Sequence, residues 1–224
     1  MATHLVWDWN GTLLHDTGVV VEATNASFEE LGIPPITLER YRELFCVPVP
    51  LFYERLLGRP VVGEEWEVLD GAFHRHYRAL VAGVALAEGA AELLAAWRAA
   101  GRTQSVCSLA AHEQLLPLLA RLGVAEHFTR VDGSTGGGSV TGKAEQMARH
   151  VAALGGVEPG SVVVIGDAVD DAVAARHVGA KAVLYSGGSH SRRSLARAGV
   201  PVVDSLADAV RVAEELVTGA PATL

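Results

Sequence analysis

Cysteine is nearly missing from this chain of 224 residues: only Cys46 and Cys107 occur. Two such residues supply neither a disulfide framework nor the spacing of a zinc site. Both read as small buried hydrophobes in a reducing compartment, so a cytoplasmic location is expected. Positive charge is also short, with 18 Lys and Arg against 26 Asp and Glu for a net charge of -8, and no basic run occurs. A nucleic-acid footprint needs such a run, which removes nucleic acid from the expected partners. Long apolar runs are absent too. Nothing approaches the roughly 18 uninterrupted apolar residues of a membrane span, and Asp8 interrupts the only stretch that could open a signal peptide. Neither a membrane role nor a low-complexity tract is expected, beyond the loop at Gly136-Gly137-Gly138.

Half of the residues are apolar, enough to bury a substantial core. The length suits one large domain or two small ones. The chain opens on His4-Leu5-Val6-Trp7, which runs into Asp8 and then the turn residues Gly11-Thr12. So short and apolar a run reads as a central parallel strand covered on both faces. Its carboxyl end, where Asp8 falls, is where open parallel sheets bind ligands.

Residues 16–80 then change texture, with helical spacing, collected aromatics and no strand-like run. Val20, Ala23, Phe28 and Leu31 fit one helix face that Gly32 and Pro34-Pro35 close. A second helix starts near Thr37, whose hydroxyl can cap it, and Pro48 and Pro50 break it. Two more helices are predicted over 51–57 and 64–80. From Glu88 onward helices (90–100, 112–122, 143–154, 170–178, 191–198, 206–217) alternate with strands (103–108, 128–132, 161–165, 182–185, 200–203). Such alternation implies right-handed crossovers and a parallel sheet. The expected fold is therefore α/β: a Rossmann-like parallel sheet with helices on both faces, formed by residues 1–15 and 81–224, and an inserted all-helical domain over 16–80.

Asp8, Ser108 and Asp167 stand at the ends of three predicted strands. Lys143 starts the helix after the third, and Asp171 lies one turn past Asp167. Carboxylates from different strands brought together call for a cation, and oxygen donors without His or Cys favour Mg2+. Lys and Ser supply a charge and a hydroxyl for a bound oxyanion. A carboxylate nucleophile, a divalent ion and a lysine together suit phosphoryl transfer.

Asp8-Trp9-Asn10-Gly11-Thr12, then Ser108, then Lys143, then Gly166-Asp167-Ala168-Val169-Asp170-Asp171 resembles the four ordered motifs of the haloacid dehalogenase superfamily. The helical insert is similar to the cap of its phosphoglycolate phosphatase-like members. The resemblance implies that Asp8 attacks phosphorus and forms an aspartyl phosphate. It further implies that Asp8, the Asn10 carbonyl and Asp167 hold Mg2+, with Asp171 completing the shell and pairing with Lys143. Backbone N–H groups around Gly11 and Thr12, with Ser108 and Lys143, would grip the phosphoryl oxygens of a small phosphorylated metabolite. Monomer and homodimer both stay open. Asp170 reads as a helix N-terminal charge.

Asn10 departs from the pattern, because phosphatases of the family usually carry a second Asp there as general acid and base. Asn cannot exchange a proton at neutral pH. Three readings follow: a slow phosphatase, an enzyme for esters whose leaving group needs no proton, such as acyl or aryl phosphates, or a phosphate-ligand binding protein with little turnover. His15 and Asp16 are candidates to replace the acid but read first as hinge residues. Gly137-Gly138-Ser139-Val140-Thr141-Gly142-Lys143-Ala144 nearly matches an NTP-binding P-loop, yet Ala144 stands where that loop needs Ser or Thr. By the resemblance the loop Cys46 to Pro50 should face the site, and it is apolar and uncharged. His74 and His76 point to opposite sides of a helix and make a poor metal pair, Trp66 and Trp97 read as core or interface aromatics, and Ser189 to Arg193, after the fifth strand, reads first as a solvated helix start and second as a group that reaches a substrate anion.

Overall fold

The computed structural model describes residues 3–136 and 142–219. Six strands, β1 (His4–Trp7), β2 (Gln104–Ala111), β3 (Arg130–Ser134), β4 (Val162–Gly166), β5 (Lys181–Tyr185) and β6 (Val202–Val203), form one sheet in the order β3-β2-β1-β4-β5-β6. Every pairing is parallel. Side chains alternate across a strand, so each central strand feeds two cores. Leu5, Trp7, Val163, Ile165 and Val183 pack on one face with α5 (Ala90–Ala99), α6 (His112–Arg121) and α10 (Leu206–Thr218). Val6, Val162, Val164, Ala182 and Leu184 pack on the other with α7 (Ala144–Ala153), α8 (Val169–His177) and α9 (Arg192–Leu195). Some polar groups inside are paired: Trp7 Nε1 donates to Gln104 Oε1 at 3.0 Å, and Gln104 Nε2 to the Leu94 carbonyl at 2.8 Å, whereas the buried Trp9 Nε1 has no partner among the described residues.

The chain leaves β1 for β2 and β3 on one side and returns to β4 on the other, which makes β1/β4 the point where strand order reverses. Crevices form there at the carboxyl ends. Trp7 pairs with Ile165 in that register and the Asp8 N–H donates to the Ile165 carbonyl at 2.8 Å, so Asp8 and Asp167 emerge side by side.

Between β1 and α5 the chain forms α1 (Thr17–Glu30), α2 (Leu38–Leu44), α3 (Val49–Leu57) and α4 (Glu64–Val81). Their apolar cluster is separate from both sheet cores and is built around Val21, Phe28, Tyr41, Phe52, Tyr53, Val61 and Leu69. Thr37 caps α2 as expected, accepting from the Arg40 N–H at 3.1 Å. Leu31, expected on the buried face of α1, is 39% exposed because it lies one residue past the helix end. α3 begins at Val49, before the predicted start, because Pro50 falls in its first turn, where no N–H is needed.

β2 runs three residues past Ser108, with its register to β3 broken between Cys107 and Ala111. β3 starts at Arg130 because Ala125–His127 forms a 3-10 turn, and the predicted helix over 191–198 divides into α9 and a 3-10 turn at Ala196–Ala198. Of the glycine run, Gly137 and Gly138 lie outside the described residues, as do Ser139, Val140 and Thr141 of the P-loop-like segment. Among the described residues no helix is long and apolar enough to cross a membrane.

Candidate active site

Asp8, Asn10, Ser108, Lys143, Asp167 and Asp171 line one cavity of about 250 Å³ at the carboxyl end of the sheet. Carboxylate oxygens of Asp8, Asp167 and Asp171 lie within 4.8 Å of one another, and all three residues are buried. Lys143, just before α7, places Nζ 2.5 Å from Asp8 Oδ1 and against Asp171 Oδ1. Each carboxylate is also fixed by a neighbour. Asp167 accepts from the Thr12 hydroxyl at 3.0 Å and the Ser189 N–H at 2.5 Å. Asp171 accepts from the Ala168 N–H at 3.0 Å. Asp170 accepts from the Lys143 N–H at 2.8 Å, so it anchors the start of α7 besides charging the start of α8. A side chain on Gly188 would collide with Asp167 and the Gly11 carbonyl, so the loop after β5 closes tightly over that carboxylate.

The electrostatics follow from three carboxylates facing one ammonium in a buried site. Burial pushes Asp8 well above the usual carboxylate range; Lys143 opposes this, while Asp171 and Asp167 add to it. Burial would strip Lys143 of its proton, but Asp171 and Asp8 outweigh it and hold the ammonium charged. With those carboxylates ionised, two negative charges remain in excess. An all-oxygen donor set with that excess fits a hard divalent cation.

Gly11 and Thr12 behave differently from expectation. Their N–H groups are taken up inside the turn that follows Asp8: Gly11 donates to Asp16 Oδ1 at 2.7 Å and the Leu14 carbonyl at 3.1 Å, and Thr12 to the Trp9 carbonyl at 3.3 Å. Gly11 is needed for its backbone, with φ of 72° in the left-handed region. The Thr12 hydroxyl, not its N–H, reaches the carboxylate cluster. Ser108 faces the cavity from inside β2 rather than from its last residue; its hydroxyl accepts from the Ala110 N–H at 3.1 Å, and its carbonyl accepts from Gln146 Nε2 at 2.6 Å.

Around Asn10 the structure adds what the sequence did not reveal. Asn10 Nδ2 donates to Asp16 Oδ2 at 2.6 Å and to the Tyr77 hydroxyl at 2.7 Å, and Tyr77 donates to the same Asp16 oxygen at 2.6 Å. Both amide hydrogens are committed, which leaves Oδ1 as an acceptor only. Asp16 is fully buried and lies off the cavity wall, and burial raises its pKa even though bonds from Tyr77, Asn10 and Gly11 oppose the shift. Asp16 holds the Asn10 amide and the Gly11 N–H, and His15 is exposed. No sequence signal pairs Asp16 with Tyr77, 61 residues away.

The opposite wall belongs to α1–α4. Val47 and Val49 of the apolar loop line the cavity together with rings including Tyr41, Phe45, Phe52 and Phe73. Arg42 ties this wall to the core, donating to the carbonyls of Gly187 and Gly188 at 2.9 Å each. His74 bonds the Asp70 carbonyl at 2.8 Å and lines the cavity beside Asp70, while His76 bonds Glu30 at 2.6 Å, so the two do not form a metal pair. Trp97 is buried in the sheet core and Trp66 packs on Tyr53. Ser189 reaches Asp167, while Ser191 caps α9 and Arg192 pairs with Asp204.

Residues 2–179 match the family model described as haloacid dehalogenase-like hydrolase. The chain is 27% identical over 223 residues to a phosphoglycolate phosphatase from Caulobacter vibrioides, covering 97% of this chain and 93% of that one. A phosphoglycolate phosphatase from Synechococcus elongatus is 27% identical over 196 residues, 87% of this chain and 88% of its own. The fold is also that of a protein described as a predicted phosphatase from Clostridium acetobutylicum, with a TM-score of 0.82 at 17% identity over 97% of this chain and 99% of that one.

Proposed function

The chain belongs to the haloacid dehalogenase-like hydrolases, and from that premise we propose that it is a phosphatase, hydrolysing a small phosphomonoester through an aspartyl phosphate on Asp8. The observation that supports this most is the meeting of Asp8, Lys143, Asp167 and Ser108 on one cavity wall at the strand reversal. Asp8 would attack phosphorus in line with the departing ester oxygen, and Lys143 and Ser108 would hold the phosphoryl oxygens. Asp171 would keep Lys143 in place. Asp8, the Asn10 carbonyl and Asp167 would hold Mg2+, with Asp171 beside them. When bound, the ion supplies the positive charge that lets an anionic ester approach a carboxylate. Water would then attack the phosphorus of the aspartyl phosphate, releasing inorganic phosphate and restoring Asp8. In this reading residues 16–80 act as a cap over the core of residues 1–15 and 81–224, in a cytoplasmic protein whose two cysteines are free.

Asn10 gives the reading its particular character. It can accept a hydrogen bond from water but has no proton to give. An absent general acid and base costs about 10² to 10⁴ in rate, so the aspartyl phosphate should persist. The test is phosphate release from a panel of phosphomonoesters, with Mg2+ and with a chelator, using Asp8→Ala as the blank. Release that needs both Mg2+ and Asp8 supports the proposal. Release that survives Asp8→Ala rejects the nucleophile, and phosphate affinity without any turnover favours a binding role.

A further inference from the structure

We propose that the substrate is an aryl phosphomonoester, its uncharged ring seated among the rings of the helical insertion, rather than a phosphorylated carboxylic acid. The inference rests on the phosphatase reading and narrows it. Two independent features of the cavity lead to it. The first is what the wall beyond the carboxylates offers. Tyr41, Phe45 and Phe52 form a mutually packed group with ring centroids 5.1 to 5.4 Å apart, and Phe73 stacks on Tyr77 at 5.7 Å. Rings prefer offset or edge contacts with other rings, so such a wall rewards an aromatic guest. The volume agrees: a cavity of ~150 Å³ already admits benzene, and this one of about 250 Å³ leaves room for the phosphoryl group.

What that wall lacks carries equal weight. A substrate carboxylate drawn out of water needs a cation or several donors. The described cationic side chains on the wall are Lys143, already paired with Asp8 and Asp171, and His74, which sits beside Asp70. Asp70 lines the same wall and would repel a carboxylate. Residues 137–141, which precede Lys143, carry no charged side chain in the sequence. Arg78 lines an adjoining cavity, which shares Asn10, Tyr77, Ala110 and Gln114 with this one.

The second feature is Asn10. Its amide hydrogens are held by Asp16 and Tyr77, so nothing at this position can protonate a departing oxygen. A phenol, with a pKa near that of tyrosine at about 10, leaves as phenolate. An alkoxide is far more basic, nearer to hydroxide, and does not leave readily without a proton. In the reaction the Asp8 oxygen bonds to phosphorus, the bond from phosphorus to the aryl oxygen breaks, and its electron pair departs on the phenolate, which takes a proton from solvent. Water attack on phosphorus then breaks the bond to Asp8 and yields inorganic phosphate.

Three esters separate these contributions: phenyl phosphate, benzyl phosphate and 2-phosphoglycolate, each assayed with Mg2+ for kcat/KM. Benzyl phosphate should exceed phosphoglycolate roughly tenfold from the ring wall, and phenyl should exceed benzyl by about 10² from its leaving group. Phosphoglycolate in first place overturns the inference, as does a ranking in which Arg78→Ala removes activity on phosphoglycolate alone. Calorimetric binding of phenylphosphonate against phosphonoacetate decides the ring preference without turnover. Tighter phenylphosphonate supports the inference and tighter phosphonoacetate overturns it. Failure to hydrolyse any ester would therefore reject the phosphatase reading alone, while the phosphonates still judged the wall. Val47→Arg, which puts a cation on that wall, should move the preference toward phosphonoacetate.

Discussion

The two halves of the cavity are built by opposite rules. On the sheet side, charged groups are packed out of water at bonding distance, with three carboxylates around one lysine. On the insertion side, rings and valines face the space and the few polar groups are tied to one another. Separate apolar clusters underlie them. In the proposed reading the difference is one of labour: the sheet half concentrates charge that a cation and a phosphoryl group would relieve, whereas the insertion half would sort the organic part. Asn10, Asp16 and Tyr77 are where the halves meet.

Removing the sheet half's reacting group should give the largest effect. Asp8→Asn is expected to lower kcat by about 10⁴ or more while the melting temperature holds or rises, since one of three crowded carboxylates loses its charge. An active Asp8→Asn enzyme would erase the division of labour. Next, Lys143→Met leaves buried carboxylates uncompensated and should cost about 3 to 5 kcal/mol. Denaturant unfolding should show that loss, with part recovered on adding Mg2+; no recovery would argue against a cation site.

Acid should also separate the halves. Burial, with His150 nearby, depresses His4 to about 4 from the ordinary 6.5. The neutral ring is favoured in the folded state, so this stability is full above about pH 6.5 and is lost as pH falls toward 4, by about 3 kcal/mol at most. Hydrogen exchange at pH 7 and pH 4.5 should place the weakening in β1 and β2, and His4→Gln should flatten it. Asn10→Asp should raise turnover of benzyl phosphate by about 10² and change phenyl phosphate little. The new carboxylate would lie against Asp16, so unchanged benzyl turnover would show that Asp16 keeps position 10 from acting as an acid. The smallest effect is expected from Tyr77→Phe, about 2 kcal/mol of stability from the two lost bonds with Asn10 and Asp16, read by thermal melts together with a raised KM for benzyl phosphate.

Much of the sheet half was legible in the sequence. Asp8, Asp167 and Lys143 stand where apolar strands stop or helices begin, and parallel sheets gather those ends at the strand reversal. Ser108 lines the cavity although its strand runs on, because the side chain still faces the crevice. The turn bonds of the Gly11 and Thr12 N–H groups are not legible for a local reason, since whether a turn closes on itself depends on Trp9, Leu14 and Asp16, which periodicity does not address. Leu31 matched a helical stripe but falls beyond the last turn. The partnership of Tyr77 with Asn10 was not readable, because it joins the far end of α4 to the loop after β1.

By itself the sequence determined the class of fold and the identity of the groups that could do chemistry. Strand and helix periods, glycine stops and the order of polar residues are local properties that burial must respect. Only the tertiary structure decided which donors are spent and which face the cavity, that Asn10 is held by Asp16 and Tyr77, and that the opposite wall is aromatic and without a free cation among its described residues. Those outcomes depend on distances between elements remote in sequence, and hydrogen bonding and charge pairing are settled over a few ångströms.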